Sequence, residues 1–150
     1  MLLFSQNDPQ WKKEKLGKTN LTCGQFGCTT SVIGDGGNWF GETITPYYLT
    51  KRLSYTNTGL IIWSSIGKVY KKMQFFWRFY KHDEKMIADA LKHPDKVVLL
   101  NVDRGYHWVF LLGKVPFLGY RCSNPYPFPA KTRYYKPSEV VGGAVLIRKK

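Results

Sequence analysis

Three side chains that together could make an activated nucleophile lie far apart in this chain. They are Cys28 in "GQFGCTTS", His107 in "GYHWVFLLG" and Asn124 in "YRCSNPYPF". A cysteine that opens a helix feels the helix dipole and nearby backbone N–H groups, both of which favour the reactive thiolate. Gly27 before it lets a substrate backbone approach closely. A histidine at the start of an apolar strand can face a cleft while the strand packs beneath it. A side-chain amide just past the next strand could hold that imidazole in one tautomer. Early cysteine, strand histidine and orienting amide form the layout of a Cys-His-Asn nucleophile for acyl transfer. Such a site also needs a donor for the developing oxyanion, and Gln6 in "FSQNDPQW" and Gln25 are both candidates, alongside the Cys28 backbone N–H. Each residue also has a plainer reading: Cys28 as a buried small hydrophobe, His107 as a hydrogen-bonded structural histidine, and Asn124 as a turn residue before proline.

The elements that must position these groups follow from pattern. "QNDPQW" reads as a turn and "TCGQFG" as a glycine-rich loop. "CTTSVI" opens a short helix that Gly34, Gly36 and Gly37 end. "TPYYLTKRL" is a second helix, with Thr45 at the N-cap and Pro46 at the first helical position. "GLIIWSSIGKVYKKM" continues as helix, with Ile62, Ile66, Val69 and Met73 on one face. "QFFWRFY" is a strand, and "DEKMIADALKHP" a helix opened by acids and stopped before Pro94. "KVVLLNV", "YHWVFLLG", "GYRCSNP" and "GAVLIR" are strands bounded by turns. Helices followed by an antiparallel sheet make an α+β arrangement.

At 150 residues the chain is expected to form one domain, residues 1–150, with a core that needs no disulfide staples. Three cysteines at irregular spacing make neither a disulfide framework nor a zinc site, so reduced thiols and a reducing place of synthesis are expected. The start "MLLFSQNDPQWKK" has no basic region before its apolar residues, so no signal peptide is expected, and no apolar run reaches membrane-spanning length. The formal charge of +13 attracts polyanions: nucleic acid, anionic lipid or an acidic wall polymer. Its bland reading is a solvated basic surface, since the lysines and arginines are scattered. "KKMQFFWRFY" interleaves base and aromatic as a nucleic-acid stacking platform would, but its alternation fits a core strand better, so nucleic acid is not the expected partner. His82 and His93 read as surface or capping residues, and Cys122 as packing. Asp8, Asp35 and Asp103 are too scattered to argue for calcium.

The motifs, taken in order, resemble papain-like cysteine peptidases of the bacteriocin-leader-processing type, especially their stand-alone phage and bacterial relatives. The resemblance rests on "SQNDPQW", "GCTTS", "GNWFGETITPYYL", "YHWVFLLG" and "SNPY", and spans nearly the whole chain. It implies a papain-like fold with N-terminal helices packed on a C-terminal antiparallel sheet. It also implies Cys28 as nucleophile, His107 as general base and acid, Asn124 as the orienting group and Gln6 at the oxyanion position, with no cofactor or metal. Many relatives have Asp where this chain has Asn124, and often Gly-Pro where it has Thr29 and Thr30.

The expected function is therefore a cysteine peptidase or amidase, working as a monomer on a peptide. Peptidoglycan is a candidate substrate and anionic cell-wall polymer a candidate partner, as for a virion-borne peptidase or a phage lysin released to act on the wall. The alternative is a catalytically degenerate binding or structural protein on the same fold, motivated by Thr29 and Thr30.

Overall fold

The β-branched and aromatic runs of the second half pair edge to edge into one sheet. In the computed structural model, which describes residues 1–150, its strands are β1 (Met73–Phe79), β2 (Lys96–Val102), β3 (His107–Val115), β4 (Gly119–Asn124), β5 (Lys131–Tyr135) and β6 (Gly142–Arg148). Their order across the sheet is β1-β6-β2-β3-β4-β5, and every neighbouring pair is antiparallel. The helices are α1 (Cys23–Phe26), α2 (Cys28–Trp39), α3 (Pro46–Arg52), α4 (Ile66–Val69) and α5 (Glu84–Leu91). No helix is long and apolar enough to cross a membrane.

Successive side chains of a strand point to opposite faces, and the sheet is covered on both. On one face Val32 and Ile33 of α2, Leu49 of α3 and Ile66 of α4 pack against Val97, Leu99, Phe110 and Leu146. On the other, Ile87 and Ala90 of α5 meet Val98, Leu100, Val109, Leu111 and Val145. The fold is thus α+β, with an N-terminal helical region on an antiparallel sheet, and α5 adds a layer on the far side. Asp83 caps α5 by accepting from the Met86 N–H at 3.0 Å.

Three local expectations are corrected, and one strand was not expected. The "TCGQFG" segment is a one-turn helix, α1, because the Thr22 side chain accepts from the Gln25 N–H and caps it. Gly34, Gly36 and Gly37 do not end α2, which runs on to Trp39. These glycines are needed for close packing instead: a Cβ on Gly37 would stand 2.4 Å from Tyr70 Cε1, and one on Gly34 2.7 Å from Phe4 Cδ2. The helix expected over "GLIIWSSIGKVYKKM" shrinks to a 3-10 turn at Trp63–Ser65 followed by the short α4. Ile61 is bridged instead to Tyr55, and Met73 belongs to β1, so tertiary pairing overrides helical spacing here. "KTRYY" forms β5, which its basic, mostly exposed residues concealed. The strand in "QFFWRFY" is present as an edge strand, with a bulge between Phe75 and Trp77 that leaves Phe76 and Trp77 exposed.

A buried acid ties the first residues of the chain to α2. Asp35 is fully buried, and its Oδ1 accepts from the Phe4 N–H at 2.8 Å. Burial pushes its carboxyl well above the usual carboxylate range. A carboxyl raised in the folded state favours folding while protonated, so its contribution falls as pH rises above about 4, the unfolded value. Asp35→Asn keeps the acceptor and cannot ionise. It is expected to raise the thermal midpoint at pH 7 more than at pH 4. Asp35→Leu leaves the buried Phe4 N–H unpaired and should cost about 1–3 kcal/mol. Thermal denaturation of both variants at the two pH values checks this.

Candidate active site

Antiparallel pairing of β3 with β4 brings the first residue of one strand beside the last residue of the other. His107 opens β3 and Asn124 closes β4. The two side chains meet, with His107 Nε2 2.7 Å from Asn124 Oδ1. The Tyr126 backbone N–H also donates to that Oδ1, at 3.1 Å. Because an N–H can only donate, it fixes which end of the amide is oxygen. His107 Nε2 must then carry its proton and donate to Asn124. That leaves the lone pair on Nδ1, the nitrogen free to take a proton.

Cys28 is the first residue of α2, which crosses the same face of the sheet and packs along β3. Cys28 is buried, 8% exposed, and its sulfur lies 4.0 Å from the Thr29 hydroxyl. Cys28, His107, Asn124 and Gln6 all line one cleft of about 500 Å³. The structure thus brings all four residues singled out in the sequence to one groove.

Gln6 reaches the groove on a segment anchored from several sides. Its backbone N–H donates to the Pro125 carbonyl at 2.8 Å, one residue past Asn124. Trp11 Nε1 donates to the Ser5 carbonyl at 2.7 Å, and Asn7 Nδ2 donates to the Tyr126 carbonyl. The Gln6 side-chain amide donates one proton to the Gly24 carbonyl at 3.0 Å. This sets its orientation and leaves the second amide proton unengaged. Gln25 also lines the cleft, but it is exposed, and its Oε1 accepts from the Thr22 hydroxyl. Of the two candidate oxyanion donors, Gln6 is the one held in place.

Burial acts on both groups of the groove. Burial raises the Cys28 thiol above its ordinary value, and the Trp108 N–H, the Thr29 hydroxyl and N–H and its own N–H pull it down only in part. Burial lowers His107, against the Asn124 hydrogen bond and the charge of Asp103, while Arg133 adds to the lowering. Both shifts disfavour the charged forms, with the thiol raised and the imidazole lowered. Thiol alkylation should follow the deprotonation of His107: its rate climbs with pH along a limb whose midpoint lies below 6.5, then levels. Iodoacetamide kinetics from acid to alkaline pH measure that limb, and in His107→Ala it should be replaced by a single rise at alkaline pH, where the raised thiol ionises.

Other residues found in the sequence take structural parts. The Thr30 hydroxyl is 2.6 Å from the Tyr55 hydroxyl, inside the protein, whereas Thr29 lines the cleft 4.0 Å from the sulfur. Cys23 is buried and pushed up to about 12, chiefly by desolvation. Cys122 is buried and likewise raised, which fits packing. His93 stays exposed beside Asp89, but His82 is more engaged than a surface residue, 2.7 Å from the Tyr120 hydroxyl on the α5 side of the sheet. Asp8 turns into its own loop to accept from the Gln10 N–H, and no group of three or more His, Cys, Asp or Glu is placed to hold a metal ion.

Sequence reasoning missed Asn101. Its buried Nδ2 donates to the Gly105 carbonyl at 3.1 Å and to the His107 carbonyl at 3.0 Å. It clamps the turn between β2 and β3 and the backbone of the histidine. Its position two residues before "DRGY" was the available signal, since buried Asn side chains commonly tie turns. Asn101→Ala should loosen that turn and lower kcat about tenfold, the equivalent of the roughly 1–1.5 kcal/mol one such bond contributes. Asn101→Asp, which keeps an oxygen but loses the donors, should not rescue it. The chain matches no protein-family model, and comparison with curated proteins and with solved structures finds no match either.

Proposed function

We propose that this protein is a papain-like cysteine peptidase or amidase that hydrolyses a peptide or amide bond through Cys28, His107 and Asn124. The observation that carries the reading is the Nε2–H tautomer of His107, imposed by Asn124, in the groove that holds a cysteine at the head of α2. In the mechanism, His107 Nδ1 takes the thiol proton as sulfur attacks the substrate carbonyl carbon. The C–O π pair moves onto oxygen, where the Cys28 N–H and the free Gln6 amide proton stabilise it. Collapse expels the amine, which receives the proton from His107, and leaves a thioester on Cys28. Water, deprotonated by His107, then attacks the thioester. It releases the carboxylic acid and restores the thiol. The inward turn of Thr30 supports this reading over a degenerate site, because it keeps one of the two departing threonines out of the groove.

The basic surface supports a substrate embedded in anionic polymer, and cell-wall peptide is the substrate proposed, for a protein carried by a virion or released as a lysin. Incubation with purified walls from several bacteria, followed by mass spectrometry of released fragments, tests this. New amine or carboxyl termini should appear with the parent protein and not with Cys28→Ala. Fragments released equally by both would remove the proposal.

A further inference from the structure

The charge of the cleft is opposite to that of the chain. Lysine and arginine outnumber aspartate and glutamate 23 to 10, yet none of the 23 lines the groove. The one acidic side chain there is Asp103, which is exposed and makes no ion pair. Arg133, which acts on His107 from β5, lies outside the groove and is held 3.4 Å from Glu139. Exposed apolar surface of Phe26, Leu60, Tyr106 and Tyr126 forms much of the remaining wall.

The backbone at Asp103 is held in an uncommon shape. Asp103 and Arg104 have φ of 50° and 56°, the left-handed region, which two successive non-glycine residues rarely share. Such strain costs on the order of 1–3 kcal/mol per residue and persists only where surrounding structure imposes it. Here Asn101 imposes it from below, through Gly105 and His107. The acid is thus displayed at the groove by a clamped turn and is close enough for its charge to act on His107.

Resting on the reading of the groove as a peptidase site, we propose that Asp103 selects substrates carrying a positive charge beside the scissile bond, a lysine-type side chain or a free amine, with apolar neighbours on the aromatic walls. An attraction of about 1 kcal/mol for an exposed pair corresponds to roughly a fivefold preference.

The thiol itself reports the local field. Three methanethiosulfonates of positive, negative and zero charge each transfer a thiol fragment to Cys28: a sulfur–sulfur bond forms, methanesulfinate leaves, and the thiol proton passes to solvent through His107. On a chain of +13 a thiol without a local field favours the anionic sulfonatoethyl reagent. The inference predicts that, with rates normalised to free cysteine, Cys28 favours the cationic aminoethyl reagent about fivefold over the anionic one. Asp103→Asn should abolish the preference and Asp103→Lys reverse it, each rate being taken relative to that of the neutral methyl reagent on the same variant. An anionic preference in the parent, or the same ratio in Asp103→Asn, overturns the inference and leaves the peptidase reading standing. Failure of all three reagents to modify Cys28 overturns both. In a digest of a mixed peptide library, cleavage sites should be enriched in flanking lysine and arginine for the parent but not for Asp103→Asn. Sites without that enrichment also overturn it.

Discussion

Cys28→Ala is expected to lower kcat by about 10⁶-fold, and His107→Ala by a similar factor, while the double variant loses little more. Nucleophile and base act as one unit, so removing either leaves only the residual catalysis of binding and oxyanion stabilisation. Burial raises the Cys28 thiol and so works against the thiolate, which makes the loss of His107 costly. Active-site titration with hydrolysis of released peptide fragments measures it. Cys23→Ala and Cys122→Ala serve as controls and should leave kcat within a few-fold, since both sulfurs are buried.

Gln6→Ala should lower kcat by about 10²–10³-fold with KM little changed, because an oxyanion donor acts on the transition state more than on bound substrate. The backbone bond from the Gln6 N–H to Pro125 survives the substitution, so the segment stays anchored. Only the side-chain bond to the Gly24 carbonyl is lost with the donor. Gln25→Ala should leave kcat within a few-fold, its side chain being exposed and bonded to Thr22. Steady-state kinetics of the two variants on one substrate separate the candidates. Equal losses in both, or a rise in KM alone for Gln6→Ala, would assign Gln6 to binding.

The places of Cys28, His107 and Asn124 were legible from local pattern: a cysteine at a helix start, a histidine at a strand start, an amide at a strand end. The strands with continuous apolar runs were legible for the same reason, since β2 is buried on both faces and its run "KVVLLNV" says so. What failed was local punctuation. Glycine normally ends a helix, but in α2 the glycines admit Phe4, Tyr70 and Met73 at short range, a tertiary demand that a single chain segment does not display. β5 was hidden because an edge strand with exposed Lys131, Thr132 and Arg133 has no apolar alternation. The charge reversal in the cleft was hidden as well, because composition averages over surface and groove alike. Asp103 was noticed only as a weak calcium candidate, and its setting appears once Asn101 and the left-handed turn are seen.

The central claim is that His107 activates the sulfur of Cys28, and affinity labelling tests it most directly. A peptidyl chloromethyl ketone with a lysine next to the warhead, reacted at pH 7 and mapped by mass spectrometry, should alkylate Cys28 alone. The rate should fall at least a hundredfold in His107→Ala and about tenfold in Asn124→Ala, the latter for loss of one orienting hydrogen bond. Labelling of Cys28 at the same rate with and without the imidazole, or labelling that lands on Cys23, would contradict the account.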